Sequence, residues 1–387
     1  MARLSGATAE VSPDPSNDDT RDSPPFFNTT FSTHRVSPLH VGHEDLTPRR
    51  LETLSRRLRD VLVGDVVRGI QVGLQATETS SGQVGLLKAV QLQWFQANTI
   101  LGGEEENQSQ RGLWIDIRHE NAAYAGLLLP GLSTLSADDN TSDTRGSFLQ
   151  LPLLLLRMPA ALKNVVTDWL ATTFDCRVGR MTIGTKTILG VWESWVEAVG
   201  IKTSGPDFTV TLAFNVPLSA TDDTTNEDSD NELVQDPTAP GLRSIDITIS
   251  PQDLRRFARA GAGMQPLKKD TLDPWENDTR ERRRLAGGNL DDGWAWRAAK
   301  DAKTHPFTEA LSRYLSHHLA LDLFHPSVRV TQISCSGFVL GQSRLKIVRL
   351  GELTDDLSRA AWAFVEQLGD RIQGDQLPQL FSLKFTG

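Results

Sequence analysis

The sequence predicts an α+β fold in which antiparallel sheets carry helices packed on one side and form two sheet-bearing lobes. Three observations support this fold class. Segments such as 84–95 and 207–216 place apolar residues at every second position, which is typical of half-buried strands. Several such patterns follow one another directly, which indicates antiparallel hairpins rather than parallel strand–helix–strand units. Segments with helical periodicity separate groups of strands, so we expect helices to pack against the sheets.

The composition limits the class of protein. The chain has 387 residues, with 39% hydrophobic and 23% charged residues, and is long enough for one large or two ordinary domains. Its net charge of −9 argues against binding nucleic acid by bulk electrostatics, which needs a basic excess. Two cysteines and no signal-peptide pattern predict a reducing, intracellular compartment. The longest apolar stretch, 149–159, is too short for a membrane span and is predicted to be a core strand.

Polar segments suggest the domain boundaries. Residues 1–25 are rich in Ser, Pro, Asp and Asn and contain few apolar residues, which predicts a disordered tail. Residues 26–200 form the predicted N-terminal α+β lobe, and residues 201–387 form the C-terminal one. An acidic insert at 219–241 and a long connection at 262–304 interrupt the second lobe, and we expect the insert to be a solvated loop.

The N-terminal lobe begins with a predicted amphipathic helix. Thr47 is its expected cap and Pro48 its first helical residue. The apolar residues at helical spacing are Leu51, Leu54, Leu58, Val61 and Leu62. Strands are predicted at 66–74, 84–95, 112–120, 122–130 and within 149–159. A helix at 159–174 follows, and a second helix is predicted from the apolar stripe Ile188, Trp192, Trp195, Val196 and Val199.

In the C-terminal lobe, strands at 207–216 and 243–250 are predicted to pair across the acidic insert. Ser250 is the expected cap of the next helix, and Pro251 is its first residue. The remaining predicted elements are a helix at 306–324, strands at 327–335, 338–341 and 343–350, a helix through Leu353, Leu357, Ala361, Phe364 and Leu368, and a last strand at 380–387.

Cys176 follows an aspartate and precedes a tryptophan-bearing helix, so it is the first candidate for a nucleophile. A nucleophilic cysteine needs a basic partner, and His305, His317, His318 and His325 qualify by residue type only. We therefore interpret Cys176 as a buried structural residue. Cys335 is interpreted in the same way, and the two cysteines lack the further ligands of a zinc site. With no phosphate-binding glycine loop either, the sequence predicts a protein that is not an enzyme and holds no cofactor or metal.

Arginines cluster in two places and are candidates for phosphate contact. Four of them, Arg49, Arg50, Arg56 and Arg57, lie with Arg59 on the first helix, and the second cluster is Arg280, Arg282, Arg283 and Arg284. The guanidinium group is a planar donor fork that suits phosphate oxygens. Glu52 and Asp60 lie on the same helix, and we prefer the interpretation that this helix presents a solvated face.

Four stretches together resemble one known family. They are STHRVSPLHVGHEDLTPRRLETLSRRLRDVLV from residue 32, DWLATTFDC from residue 168, LAFNVPL with IDITISPQDLRRF from residues 212 and 245, and LSRYLSHHLALDLFHPSVRVTQIS with SRLKIV from residues 311 and 343. These stretches look like centromere protein L in its fungal form, a subunit of the Sim4 kinetochore complex. The likeness keeps the same order from about residue 31 to the C-terminus.

The resemblance implies a non-enzymatic inner kinetochore subunit, located in the nucleus at the centromere. It implies pairing with centromere protein N inside the constitutive centromere-associated network, beside other inner kinetochore subunits. Contact with the centromeric nucleosome would be made through this complex, and no membrane, cofactor or small-molecule substrate is implied. The alternative is a DNA-binding module that uses the arginine-rich helix 48–62.

The strand pattern suggests where a partner docks. A sheet built from short hairpins leaves an edge with unpaired backbone groups, and a partner can add a strand there. The candidate strands are 343–350 and 380–387. The predicted partner-binding residues are Arg344, Lys346, Ile347, Phe381, Leu383 and Phe385.

Overall fold

The structure is a computed structural model that describes residues 23–42, 45–67, 84–96, 100, 111–130, 147–201, 205–214, 242–263, 305–349 and single positions within 285–296 and 354–369. The delimited helices are α1 (Pro48–Val67), α2 (Ala160–Phe174), α3 (Thr185–Val199), α4 (Pro251–Ala262) and α5 (Pro306–Leu319). The first strands are β1 (Phe31–Val36), β2 (Leu39–His40), β3 (Leu87–Gln96), β4 (Arg111–His119), β5 (Ala123–Leu129), β6 (Phe148–Leu149) and β7 (Leu153–Arg157). The others are β8 (Val178–Arg180), β9 (Phe208–Phe214), β10 (Ser244–Ile249), β11 (Val328–Ser334), β12 (Phe338–Gly341) and β13 (Arg344–Ile347).

Among the described residues, eleven strands form one sheet in the order β10-β9-β11-β12-β13-β1-β7-β5-β4-β3, with β8 paired to β1. All of its strand pairs are antiparallel, which confirms the α+β class with antiparallel sheets. The two predicted lobes do not have separate sheets, because β1 pairs with β13 and joins the strands of both halves. Strands β2 and β6 form a small second sheet.

The junction between the halves is reinforced by Asn28. Its side-chain amide donates to the carbonyl oxygen of Arg349 at 3.0 Å and accepts from the Arg349 backbone N–H at 3.0 Å. Its own backbone N–H donates to the carbonyl oxygen of Ile347 at 2.7 Å. The chain just before β1 is therefore tied to the chain at the end of β13.

Helices cover both faces of the sheet, and the prediction of helices on one side is wrong. In β7, Leu153 and Leu155 belong to one hydrophobic core, while Leu154 and Leu156 belong to another. We call the side of the sheet with Leu154 and Leu156 the first face, and the side with Leu153 and Leu155 the second face. Helices α1 and α2 pack on the first face, and α3, α4 and α5 pack on the second. A strand that is apolar at consecutive positions needs cover on both sides, which explains this arrangement.

Helix α1 begins where the sequence predicts, and the Arg50 N–H donates to Thr47 Oγ1 at 3.4 Å. Ser55 ties the helix to the sheet, since its hydroxyl accepts from the Leu92 N–H at 2.8 Å. The helix continues to Val67, so the prediction that a strand begins at residue 66 is wrong. The rest of that predicted strand lies outside the described residues.

The predicted stripe of α3 packs in a dense aromatic core, where Ile188, Trp192 and Trp195 are buried and Val196 and Val199 are half-buried. Trp192 contacts Phe208 with ring centroids 4.4 Å apart, and Trp195 contacts Phe338 at 5.0 Å. A Cβ atom at Gly337 would lie 2.4 Å from the Trp195 ring, so this position requires glycine. The interpretation of this helix as a packing seam is confirmed.

The outcome differs among the segments predicted to be loops. Pro24 is buried and Phe26 is 3% exposed, so the packed fold begins before the predicted boundary at residue 25. Residues 1–22 and the acidic insert lie outside the described residues, as does the last predicted strand at 380–387. The described positions between 356 and 369 are helical and include the buried Phe364 and Leu368, as predicted.

Candidate functional site

Cys176 lies in the core of the first face, just after α2, and is 7% exposed. Its Sγ donates to the carbonyl oxygen of Leu170 at 3.4 Å. Burial, helped by the negative charge of Asp175, raises the pKa of the Cys176 thiol to about 11. The thiol is therefore protonated at neutral pH and unsuited to nucleophilic attack. The prediction that Cys176 is a buried structural residue is confirmed.

Replacing Cys176 with alanine should lower the free energy of unfolding by about 1 to 3 kcal/mol, the usual effect of removing a small buried side chain. A thiol reagent should modify the half-buried Cys335 first and reach Cys176 only under unfolding conditions. The Cys176→Ala variant, labelled in parallel, lacks the slowly modified thiol and so shows that this thiol belongs to Cys176. Rapid modification of Cys176 in the native protein would contradict the prediction.

The histidines proposed as bases do not assemble a catalytic site with Cys176. His317 and His318 lie on α5, which packs on the second face, whereas Cys176 belongs to the core of the first face. His325 is engaged by Ser327, whose hydroxyl lies 2.6 Å from the His325 Nδ1. Within the described part of the chain, no group of three or more His, Cys, Asp or Glu side chains is arranged to hold a metal ion.

The arginines of α1 lie on its outer surface. Arg49, Arg56 and Arg57 are exposed, and Arg50 is half-buried. Arg56 donates to Glu52 Oε1 at 2.6 Å across one helical turn, and both side chains are largely exposed, so this pair adds little stability. The opposite side of the helix buries Leu51, Leu54, Leu58 and Leu62. The second arginine cluster, 280–284, lies outside the described residues.

Strand β13 is not a free edge, and this part of the docking prediction is wrong. It pairs with β12 on one side and with β1 on the other. Ile347 is fully buried and pairs additionally with Phe27. The apolar side chain that the sequence offers to a partner therefore packs in the protein's own core. Arg344 is exposed and Lys346 half-buried, so contact with a partner through these side chains remains a prediction. Phe381, Leu383 and Phe385 lie outside the described residues.

The two end strands of the described sheet are β3 and β10, and they differ in character. Strand β3 carries the exposed Lys88, and its pairing with β4 shifts register between Leu87 and Ala89. A lysine and a bulge are common devices that protect a sheet edge from unwanted pairing. Strand β10 pairs with β9 over six consecutive residues without a register shift. Its only charged residue is Asp246. Strand β10 is therefore the less protected edge.

The segment predicted as a long connection, 262–304, contributes buried residues that the sequence analysis missed. Asp292 Oδ1 accepts from the backbone N–H of Thr185 at 2.8 Å and from its hydroxyl at 2.7 Å. Trp294 is 2% exposed, and its indole N–H donates to the carbonyl oxygen of Val328 at 3.0 Å. The only sequence signal was the pair of tryptophans at 294 and 296, unusual in a polar segment.

Glu193 is a second polar residue that the sequence analysis missed. Its carboxylate accepts hydrogen bonds from the backbone N–H groups of Phe307 and Thr308 at the start of α5. Burial outweighs these hydrogen bonds and raises the pKa of Glu193 to about 7. His305 Nδ1 lies 3.9 Å from Glu193 Oε1. The group links α3 to α5 and titrates near neutral pH.

Comparison with known proteins identifies the family. The family model for centromere protein L matches residues 25–372 of the 387. No curated protein matches the chain. None of the helices in the described residues has both the length and the apolar content to cross a membrane. The match covers most of the chain and confirms the resemblance seen in the four sequence stretches. The chain therefore belongs to the centromere protein L family, which makes it a nuclear protein of the centromere and kinetochore.

Proposed function

We propose that this protein pairs with a centromere protein N homologue inside the constitutive centromere-associated network and supports kinetochore assembly and chromosome segregation. The observation that carries the proposal is the match to the centromere protein L family over residues 25–372. Other inner kinetochore subunits bind the pair, and the centromeric nucleosome is reached through the complex. The protein acts by binding, without catalysis.

The edge of β10 is the proposed docking site. An incoming strand gains affinity from backbone hydrogen bonds and register from alternate side chains. Along β10, Ile245, Ile247 and Ile249 face inward and are half-buried or buried, while the intervening side chains are exposed. A partner strand added here would extend the large sheet and its alternation without rearranging the fold. The proposed docking site is therefore the edge of β10, the less protected edge, and not β13.

The hydrogen-bond pattern identifies the backbone groups available at this edge. The Phe214 N–H donates to the carbonyl oxygen of Arg243 at 2.9 Å, so this opposite pair is a hydrogen-bonded pair. Such pairs alternate along an antiparallel ladder. The residues whose backbone groups point away from β9 are therefore Ser244, Asp246 and Thr248. These are the groups that a partner strand would bind.

The Thr248→Pro variant tests the docking site. Proline removes an outward N–H and leaves the β9 ladder intact, as it does on natural edge strands. We expect affinity for the centromere protein N homologue to fall at least about tenfold, since one lost hydrogen bond and the ring's steric bulk together exceed about 1.4 kcal/mol. Thr248→Ala is the matched control, because it removes the side chain but keeps the N–H. Full affinity of a folded Thr248→Pro protein would overturn the β10 site. Failure of the unaltered protein to form a complex would overturn the pairing itself.

Direct DNA binding through α1 is the second candidate function, favoured by the exposure of Arg49, Arg56 and Arg57 on one helix. If Arg49 and Arg57 contact phosphates, affinity for DNA falls as salt rises, partly because of these two contacts. Reversing both to glutamate should then make the slope of log affinity against log salt less negative by about 2. Reversing the exposed Arg177 and Arg259, which lie elsewhere, provides the charge-matched control. A slope unchanged by the Arg49→Glu and Arg57→Glu pair would assign these arginines to a solvated surface.

A further inference from the structure

Asp246 lies in the middle of β10, on the first face of the sheet. Its neighbours Ile245 and Ile247 lie on the second face, where Ile247 packs against the hydrophobic core. Side chains alternate along a strand, so Asp246 projects from the opposite face. There the hydroxyl of Thr211, directly across on β9, donates to Asp246 Oδ1 at 2.7 Å. The carboxylate is therefore oriented by the neighbouring strand, at the edge where a partner strand would bind.

The first face is open around Asp246. Within the described part of the chain, the hydrophobic core under α1 and α2 takes its buried residues from positions 36–176. The buried apolar residues of β9, β11, β12 and β13 belong to the core of the second face instead. Asp246 is exposed, as are Ser244 and Thr248 on the same side of β10. A strand added along β10 would therefore place its own side chains next to these three residues.

Asp246 carries a charge that no cation among the described residues balances. Its contact is with the hydroxyl of Thr211, which has no charge, and Oδ2 makes no hydrogen bond or ion pair there. Asp116 and Asp253 differ, because each pairs with an arginine at less than 3 Å. An unbalanced charge on an edge strand affects which strands can pair with it, since like charges placed directly opposite destabilise the pair.

The hydrogen-bond pattern of β10 defines what lies opposite Asp246. The backbone groups of Asp246 point away from β9, so an incoming residue that binds them lies directly across from it. The two Cβ atoms are then about 5 Å apart on the same face, within reach of a lysine or arginine side chain. The residues on either side of that cation lie on the second face, against the half-buried Ile245 and Ile247. Apolar side chains fit there.

On the basis of the proposed pairing along β10, we propose that Asp246 selects a partner strand with a lysine or arginine opposite it and an apolar residue on each side of that cation. A second copy of this chain fits poorly. The antiparallel register that uses the outward groups of Ser244, Asp246 and Thr248 together places Asp246 opposite its own copy, and each chain has a net charge of −9. Asp246 thus favours the cationic partner and disfavours self-pairing.

The Asp246→Lys variant of the full-length chain tests the proposal by titration with the centromere protein N homologue. Affinity should fall at least about tenfold, because an attraction becomes a like-charge repulsion. This loss should shrink between about 0.1 M and about 1 M salt, since the screening length falls from about 10 Å to about 3 Å. Asp246→Asn keeps an oxygen for Thr211 and loses only the charge, so affinity should fall roughly twofold to fivefold. Asp168→Lys, at an exposed position on α2, is the charge-matched control and should bind normally.

Charge reversal in the partner identifies the opposite residue. Among single substitutions of the partner's lysines and arginines by glutamate, one should weaken binding to the unaltered protein. The same substitution should raise the affinity of the Asp246→Lys protein at least about fivefold, which is the coupling expected of residues in contact. Circular dichroism and the thermal midpoint verify that each variant is folded, and Asp246→Asn replaces Asp246→Lys if the lysine variant does not fold.

The Thr248→Pro variant separates this proposal from the docking site on which it rests. Loss of binding by Thr248→Pro, with full affinity of Asp246→Lys or tighter binding by Asp246→Asn, would overturn the selection by Asp246 and leave the β10 site standing. Full affinity of both Thr248→Pro and Asp246→Lys would overturn the site and the selection together. A dimer of the isolated chain that Thr248→Pro abolishes would assign the edge to a second copy and would also overturn the proposal.

Discussion

Replacing Asp292 with alanine is expected to lower the free energy of unfolding by about 2 to 5 kcal/mol, because two buried donors of Thr185 lose their acceptor. Thr185 is the first residue of α3 and is completely buried. The preceding residue, Gly184, offers no side-chain cap, so Asp292 supplies the cap from a distant part of the chain. The Thr185 hydroxyl also accepts from the Val330 N–H at 3.0 Å, so the substitution should weaken the contact between α3 and β11 as well. Denaturant unfolding followed by tryptophan fluorescence measures the loss.

Asp292→Asn is the matched control for this prediction. Asparagine keeps an acceptor oxygen at the same position and loses only the charge near the start of α3. Its cost should be about 1 kcal/mol, the usual contribution of an anion at a helix N-terminus. Equal stability of the alanine variant and the unaltered protein would show that Asp292 does not cap α3.

The second large effect concerns pH. Glu193 has an ordinary pKa of 4.5 and a pKa of about 7 in the folded protein, so the native state binds more protons between these values. The free energy of unfolding should therefore fall as pH rises from about 4.5 to 7, by on the order of 3 kcal/mol. The side chain is 20% exposed, which limits screening by solvent. Unfolding at a series of pH values measures this slope.

Glu193→Gln should remove this part of the pH dependence, since the amide stays neutral in both states. Above pH 7 the variant should be at least as stable as the unaltered protein. Glu197→Gln, on the same helix but exposed, controls for the loss of one negative charge. A pH profile of the Glu193→Gln protein parallel to the original would contradict the assignment.

Elements set by nearby residues were predictable from the sequence. The start of α4 is one example, because Ser250 Oγ accepts from the Asp253 N–H at 3.2 Å and Pro251 follows the cap. The pairing of β9 with β10 across the acidic insert is another, and alternating apolar residues on both strands indicated it. Each signal lies within a window of about ten residues, where periodicity and capping chemistry decide the structure.

Long-range contacts explain what the sequence did not reveal. No local pattern indicates that β1 pairs with β13, so the sequence did not reveal that β13 is an internal strand or that strands of both halves share one sheet. The cap by Asp292 has the same origin, because Asp292 and Thr185 are 107 positions apart. Arg157, Lys163 and Arg344 are isolated in sequence and line one pocket only because the end of β7, helix α2 and the start of β13 come together. A polar residue in a loop-like segment shows its role only when its distant partner is known.

The hydrogen bonds between Asn28 and the end of β13 have a consequence for synthesis of the chain. Asn28 and its partner Arg349 are 321 positions apart, so β1 is made long before β13 leaves the ribosome. At typical elongation rates of about 5 to 20 residues per second, that wait lasts roughly 15 to 60 s. During this interval the part of β1 that pairs with β13, Phe31 and Ser32, stays open, while β8 can already pair with residues 34–36. The nascent protein is therefore most vulnerable to mispairing late in translation, and a message truncated before codon 344 would release a chain with the centre of its sheet unclosed.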